Sequence, residues 1–510
     1  MALTPLDLAV FLAFFAAVIG FSLFKSRRGR GSEDYFLAGR GLTWPLIGLS
    51  IVAANLSTEQ FVGMAGQGAS EVGLAVSAWQ LTGAVGIVIV AFTFLPRFLR
   101  AGIYTLPEFL EHRYHPAARS LMAVWTLLIY AGVLVTTVLY SGALTLNAIF
   151  ELGLPEGVWL IAGITALYTA WGGLKAVAWA DLFLGSTLLV GGLLTMKLGF
   201  DATGGAPAFF ADNADRLHMI LPADHPTLPW TGIVGGMWIP IFYYCGLNQF
   251  IVQRSLAARS LNHGQMGVIF AAFLWLLVPF AIVLPGIMAR QLYGAEIDNP
   301  DQAYPLLIRN LIPSGARGFL FAAVAGAVIS SLASMLNSAS TVFTMDLYHR
   351  HLRPRAGQRE LIRTGRIATL ACVATGGLLA PQLADPRFGG VFNFIQEFQG
   401  YVSPGILAAF GFGLAVPRAP TAAGIAALLL SAPLYGLLQW RWGEVAYLHR
   451  MLLCFAILIA VMAALTLHRP LPAPRRLPVR REIADRSSPA VVAAGALVIL
   501  LVAAFFVVFR

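Results

Sequence analysis

Apolar stretches of roughly twenty residues recur along the whole chain, parted by short connections that hold most of the arginines. A helix needs about 20 such residues to cross a hydrocarbon core. The pattern predicts an all-α membrane protein of about 14 spans, at 5–24, 42–66, 72–96, 119–146, 156–172, 181–201, 229–252, 266–290, 316–345, 367–384, 391–416, 421–440, 448–467 and 489–509. No connection is long enough for a soluble domain, so residues 1–510 read as one polytopic membrane domain. The first stretch lacks a basic leader and a small-residue cleavage site, and reads as a retained span.

Three spans depart from plain hydrophobicity. In the second, Ala53-Ala54-Asn55-Leu56-Ser57-Thr58-Glu59-Gln60 lies at mid-depth and is followed by Gly63, Gly66 and Gly68. In the seventh, Pro240 precedes Tyr243-Tyr244-Cys245-Gly246, Asn248 and Gln249. In the ninth, Ser330, Ser331, Ser334, Asn337, Ser338 and Ser340 fill the inner half. Each unpaired polar group in hydrocarbon costs several kcal/mol, so such runs need a reason. Close packing through small residues explains the serine face as readily as a site does. For Asn55–Gln60 a discontinuous helix is the better reading, because Glu59 is ionisable and intramembrane ionisable groups are usually functional. Unwinding frees carbonyls for a cation and amides for a solute near the bilayer midplane.

The two broken spans lie five apart in span order. Two inverted repeats, each opening with its broken helix, would have this spacing. They would occupy 42–201 (spans 2–6) and 229–416 (spans 7–11), after a leading helix at 5–24 and before three C-terminal helices at 421–510.

Charge sharpens the topology. Only 11% of residues are charged, against about 25% in soluble domains. A net charge of +10 would suggest nucleic acid in a soluble protein, but here the cations sit in the connections, and no nucleic-acid partner is expected. Alternate connections carry Lys25, Arg27, Arg28, Arg30 and Arg40; Arg97, Arg100, Arg113 and Arg119; Lys175; Arg254 and Arg259; six arginines from Arg350 to Arg366; Arg418; and Arg469 to Arg486. About 25 of the 34 basic residues thus share one side, which the positive-inside rule makes cytoplasmic in a plasma (cell inner) membrane. Both termini then lie outside. Cys245, Cys372 and Cys454 are far apart inside apolar stretches and form no disulfide or metal motif, while His349 and His351 stand in a basic loop.

Six separated segments resemble the solute:sodium symporter family: Asp34–Arg40 (DYFLAGR), Ala54–Gly63 (ANLSTEQFVG), Tyr168–Ala176 (YTAWGGLKA), Asn248–Arg254 (NQFIVQR), Ser330–Ser338 (SSLASMLNS) and Gln396–Gly405 (QEFQGYVSPG). Within it the likeness is to the sodium/glucose cotransporter branch, from about residue 5 to the last span. The resemblance implies the amino-acid/sodium symporter-like fold, alternating access and Na+ as the coupling ion. Carried onto this chain, the ion site would use the carbonyls of Ala53, Leu56 and Ala327 and the hydroxyls of Ser330 and Ser331. Asp181 matches an acidic residue near the inner ion exit; from the residues alone it reads equally as an N-cap for the sixth span. Tyr244 matches an inner aromatic gate, and Met64, Trp79 and Phe392 an outer hydrophobic one.

Asn55, Gln60 and Gln396 match polar contacts of the branch's galactose site. Gln80 stands where that site has a glutamate, Trp275 where it has a lysine, Ile241 for an asparagine and Gly83 for a serine. Charge balance survives, but the strong charge-assisted hydrogen bonds go. The implied cargo is a small uncharged, sugar-like solute, richer in stacking surface than galactose needs. A polyol, nucleoside or amino acid on the same fold is the alternative; an organic anion is disfavoured because no arginine lies mid-span near the broken helices. A membrane-embedded sensor is a remote reading, since the chain ends within its last span, and no nucleophile–base pair or metal cluster suggests an enzyme.

Overall fold

The computed structural model describes residues 4–26, 31–57, 59–150, 152–297, 299–384, 391–475, 477–480, 483 and 486–510, apart from the side chains of 148–150, 391 and 393. Thr58 of the second-span motif and Arg27, Arg28, Arg30, Arg476 and Arg481 of the basic connections lie outside the described residues. The described secondary structure is helical except for one isolated bridge between Leu42 and Ala258.

The helices that matter below are α1 (Pro5–Ser26), α2 (Trp44–Asn55), α3 (Glu59–Ala69), α4 (Gly73–Ala101), α5 (Pro116–Asn147), α6 (Leu154–Ala202), α7 (Trp238–Phe242), α8 (Gln249–Leu256), α9 (Leu261–Glu296), α10 (Ala316–Leu352), α11 (Gln358–Ala384), α12 (Val391–Gln399), α13 (Ser403–Ala415), α14 (Thr421–Arg441), α15 (Tyr447–His468) and α16 (Pro489–Val508). Ten of the described helices are long and apolar enough to cross a membrane, eleven if α2 and α3, bent by 57°, count as one span. Against about 14 expected spans, the shortfall falls at three places. Spans 156–172 and 181–201 form one run, α6, that holds two helices meeting at a non-helical Gly173. Span 229–252 is cut into short pieces. Span 391–416, expected unbroken, parts between α12 and α13 at Gly400–Val402.

The join inside α6 has a local cause. Gly173 takes φ +58°, a region that L side chains rarely adopt, and a Cβ there would stand 2.7 Å from the Tyr35 carbonyl oxygen. The chain therefore turns at Gly173, where the two helices of α6 meet.

Burial sorts the helices into centre and rim. The apolar stretch of α10 is 89% buried and that of α4 83%, whereas α1 (17%) and α16 (22%) leave most of theirs exposed. A helix apolar all round yet exposed is one that lipid solvates. At the centre, α10 packs on α6 and α2, and α9 packs on α2 and α4. Small residues allow the close approach: a Cβ on Gly48 would stand 2.9 Å from the Gly267 carbonyl oxygen, and one on Gly267 2.7 Å from Ile47 Cβ. On α1, Asp7 accepts from the amides of Gly315 (2.7 Å) and Gly318 (3.1 Å), so one helix caps the start of another.

Several cations counted in connections are buried instead. Arg113 donates to the carbonyls of Gly413 (2.6 Å), Val416 (2.6 Å) and Ala419 (3.3 Å), closing the C-terminal end of α13. Arg119 bridges Asp346 (2.6 Å) and Glu111 (2.8 Å), and Glu111 also takes Arg350 at 2.6 Å. His349 and His351 lie on the last turns of α10 and not in a loop, because the helix runs on to Leu352.

Candidate functional site

Both predicted breaks occur. After Asn55 the chain leaves the helix at Leu56 (φ −77°, ψ 86°) and resumes at Glu59 as one π-helical turn. In the seventh span, Tyr243–Leu247 is also π-helical and Asn248 is extended (φ −92°, ψ 120°) before α8 begins. π-turns and unwound residues release backbone groups from the helical ladder. The Tyr130 hydroxyl fixes the second break, donating to Asn248 Oδ1 and accepting from the Phe250 amide at 2.9 Å.

Between the two breaks lies a cavity of about 60 Å³. All six sequence-predicted solute contacts line it: Asn55, Gln60, Gln80, Tyr244, Trp275 and Gln396. The three outer-gate residues Met64, Trp79 and Phe392 line it too, as do Gly83 and Ile241. Asn55 is the hub of a chain of amides, donating from Nδ2 to the Tyr244 hydroxyl and accepting at Oδ1 from Gln80 Nε2, each at 2.9 Å. Gln60 Oε1 turns back to the break and accepts the Ser57 amide at 2.9 Å. Ile241 fits because its Cγ2 occupies the space a Gly86 side chain would take, 2.3 Å from an ideal Cβ.

Aromatic rings close one end. Trp79 meets Phe392 edge-on at 5.8 Å and is covered on its other side by Tyr447, nearly parallel at 6.3 Å. Tyr447 was not foreseen, since nothing in its own stretch distinguishes it from an interfacial tyrosine.

The predicted cation residues gather partly. Ser331 Oγ lies 3.1 Å from the Ala54 carbonyl oxygen and 3.4 Å from that of Ala53, so the ninth span touches the first break directly. Ala327 is buried one turn earlier on α10. Ser330, by contrast, donates to Asp181 Oδ1, and Ser50 donates to Asp181 Oδ2. The cap reading of Asp181 is wrong: it sits well inside α6 with no exposure, and its carboxylate pairs with Arg254 at 3.2 Å, also fully buried.

Arg254 is thus no loop cation. Its guanidinium donates to Asp181, to Ser334, to the Phe250 carbonyl and to Ser50 Oγ (2.6 Å) and O (3.0 Å). This buried charge is paired and hydrogen-bonded on every side that the described residues present, as a charge in hydrocarbon must be. Ser334 was legible as a partner, being four residues after Ser330 on the same helical face. Gln399, three after Gln396, also lines the cavity by that rule. Glu59, singled out as ionisable, lines it as well.

The sodium:solute symporter family profile matches residues 35–430. The chain is 38% identical over 492 residues to the sodium/glucose cotransporter of Vibrio parahaemolyticus, covering 90% of each. It is 35% identical over 446 residues to the sodium/myo-inositol cotransporter 2 of Mus musculus, covering 80% of this chain and 66% of that protein. In fold it is similar to a Na+-coupled sialic acid symporter solved substrate-bound and outward-open, with TM-score 0.81 over 93% of this chain and 99% of the other at 20% identity. This integral membrane protein belongs to the sodium:solute symporter family.

Proposed function

We propose that the protein couples sodium entry to the uptake of a small uncharged solute, a monosaccharide or sugar derivative, by alternating access across the plasma membrane. The observation that carries this reading is the cavity between two broken helices, lined by amides and rings, with Ser331 lying against the carbonyls of the first break. Sodium is the coupling substrate. The Ala53, Leu56 and Ala327 carbonyls with the Ser330 and Ser331 hydroxyls would hold it without net charge, and a leaving ion would pass to Asp181 beside Ser330. The topology that goes with this reading has 14 helices, two inverted repeats at 42–201 and 229–416, basic connections in the cytoplasm and both termini outside.

The cavity is about 60 Å³, well below the ~300 Å³ at which ligand pockets begin. Loading therefore requires the walls to part. The Trp79–Phe392–Tyr447 ring cluster is the lid on one side, and Tyr244, tied to Asn55, is the latch on the other. Rocking of one repeat against the other would open them in turn.

A polyol is the second reading. It is favoured by the loss of the charged pair at Gln80 and Trp275 and by the myo-inositol cotransporters among the relatives. A thermal-shift screen of purified protein against D-glucose, D-galactose, myo-inositol, nucleosides and amino acids, with and without sodium, separates these readings. Sodium-dependent stabilisation by a sugar or polyol is expected. Stabilisation by amino acids alone overturns the proposal.

A further inference from the structure

Where the ends of α4 and α13 meet the segment that follows α15, Arg97, Arg113 and Arg475 line one cavity of about 380 Å³. Leu414, Leu477 and Val479 supply apolar wall, and no described lining residue is acidic. The segment is pinned there by its backbone, Leu471 donating to the Arg418 carbonyl at 2.9 Å and Arg475 to that of Pro417 at 3.0 Å. Arg113 is buried and spends its guanidinium on carbonyls at the end of α13, whereas Arg97 and Arg475 are exposed. Among the described residues the Arg97 side chain donates only to the Thr93 carbonyl, and that of Arg475 only to the His112 carbonyl at 3.1 Å. No described carboxylate pairs with any of the three. Glu111, which lines the adjoining cavity with Arg475, is already taken by Arg119 and Arg350. Three like charges gathered without an anion repel one another, and most donors of the two exposed guanidinium groups stay open.

An apolar groove of about 420 Å³ lies along the same helix. Leu407, Gly411 and Ala415, each four residues apart, form one stripe of α13, with Trp238 and Phe242 of α7 and Phe455 of α15 as the other walls. The stripe is about 12 Å long, close to the ~15 Å depth of one leaflet of hydrocarbon. It ends at Ala415, one residue from Leu414 and two from Pro417, which both line the basic cavity. A Cβ on Gly411 would meet nothing within 4 Å, so the groove is open at its middle.

We propose that this face binds one anionic phospholipid, its phosphate on Arg97 and Arg475 and an acyl chain in the groove along α13. A phosphate matches the guanidinium fork, which grips it through parallel charge-assisted hydrogen bonds. It also supplies the anion that the three arginines lack. Arg113 contributes its charge alone, since its donors are committed. A zwitterionic headgroup carries its own cation and gains less from the cluster. The site shares no lining residue with the solute cavity, so the proposal stands or falls apart from the transport reading.

The test is native mass spectrometry of the purified full-length protein in detergent, titrated with dioleoyl-phosphatidylglycerol, with dioleoyl-phosphatidylcholine and with glycerophosphate, the headgroup without tails. Phosphatidylglycerol should bind at least about tenfold more tightly than either of the others. Arg97→Gln and Arg475→Gln should each weaken it by about fivefold, whereas Arg355→Gln, which removes an equal charge from the exposed connection after α10, should not. Gly411→Phe fills the groove where space is open, and should weaken phosphatidylglycerol by about three- to tenfold with the lipid-free melting temperature unchanged. If that variant does not fold, Gly411→Leu takes its place with the same expectation. Equal binding of the two lipids, or equal losses in Arg355→Gln and Arg475→Gln, would mean diffuse surface charge and overturn the proposal. Glycerophosphate binding as tightly as the lipid would reduce the site to one for a free anion, and wild-type affinity in the Gly411 variant would remove the acyl chain from the groove. Either result overturns it as well.

Discussion

Replacing Asp181 by asparagine removes the anion facing Arg254 and leaves the guanidinium buried. Asp181 and Arg254 are both fully buried and 3.2 Å apart, so solvent neither screens the pair nor rescues a lone charge. The carbonyls of Ser50 and Phe250 and the Ser334 hydroxyl remain as acceptors, but none carries charge. Breaking one side of such a pair costs about 3–5 kcal/mol. Unfolding entropy of about 2.1 cal/mol/K per residue over 510 residues gives roughly 1.1 kcal/mol/K, so the melting temperature should fall by about 3–5 °C. Arg254→Gln should cost a similar amount. The charge-neutral double variant, Asp181→Asn with Arg254→Gln, should melt above the worse single one, because neither charge is then stranded. The assay is thermal unfolding in detergent at fixed sodium, followed by tryptophan fluorescence. Singles within about 1 °C of wild type, or a double variant that merely adds the two losses, would refute the argument that the pair is mutually dependent.

Other expectations are smaller in scope. Ser331→Ala should raise the half-saturating sodium concentration for solute binding by roughly tenfold while leaving the fold intact, as sodium titration of the thermal shift would show. Tyr244→Phe removes the hydroxyl that accepts from Asn55 at 2.9 Å and should weaken solute binding by about two- to tenfold, measurable by calorimetry. Gly173→Val places a β-branched residue at φ +58° with its Cβ 2.7 Å from the Tyr35 carbonyl oxygen; a stability loss of about 1–3 kcal/mol should appear as a lower melting temperature.

Much of this architecture was open to view in the sequence because hydrocarbon is an unforgiving solvent. Polar residues at mid-span must have a use, so the Asn55 and Tyr244 runs mark the breaks in the sequence itself. The cavity contacts followed from motif matches, and six of six line one space. What escaped was what depends on long-range partners. Arg254 sits at the end of an apolar span and looks like a loop cation until Asp181, 73 residues earlier, is placed beside it. Arg113 and Arg119 mislead in the same way, because the carbonyls that receive Arg113 lie at and just past the end of α13 and the Asp346 carboxylate that receives Arg119 lies on α10. The Gly400–Val402 break was missed because the flanking polar residues suited a solute site within a straight helix equally well. Tyr447 covers Trp79 from a helix outside the proposed repeats, where period and motif carry no information about packing.

Flux through proteoliposomes tests the central claim most directly. Purified protein is reconstituted, and uptake of radiolabelled D-glucose and myo-inositol is followed under an inward sodium gradient and under equal choline. The account predicts accumulation above equilibrium for at least one of the two with sodium, none with choline, and a shift to higher sodium in Ser331→Ala. Uptake that is equal in sodium and choline, or sodium dependence untouched in Ser331→Ala, would contradict it.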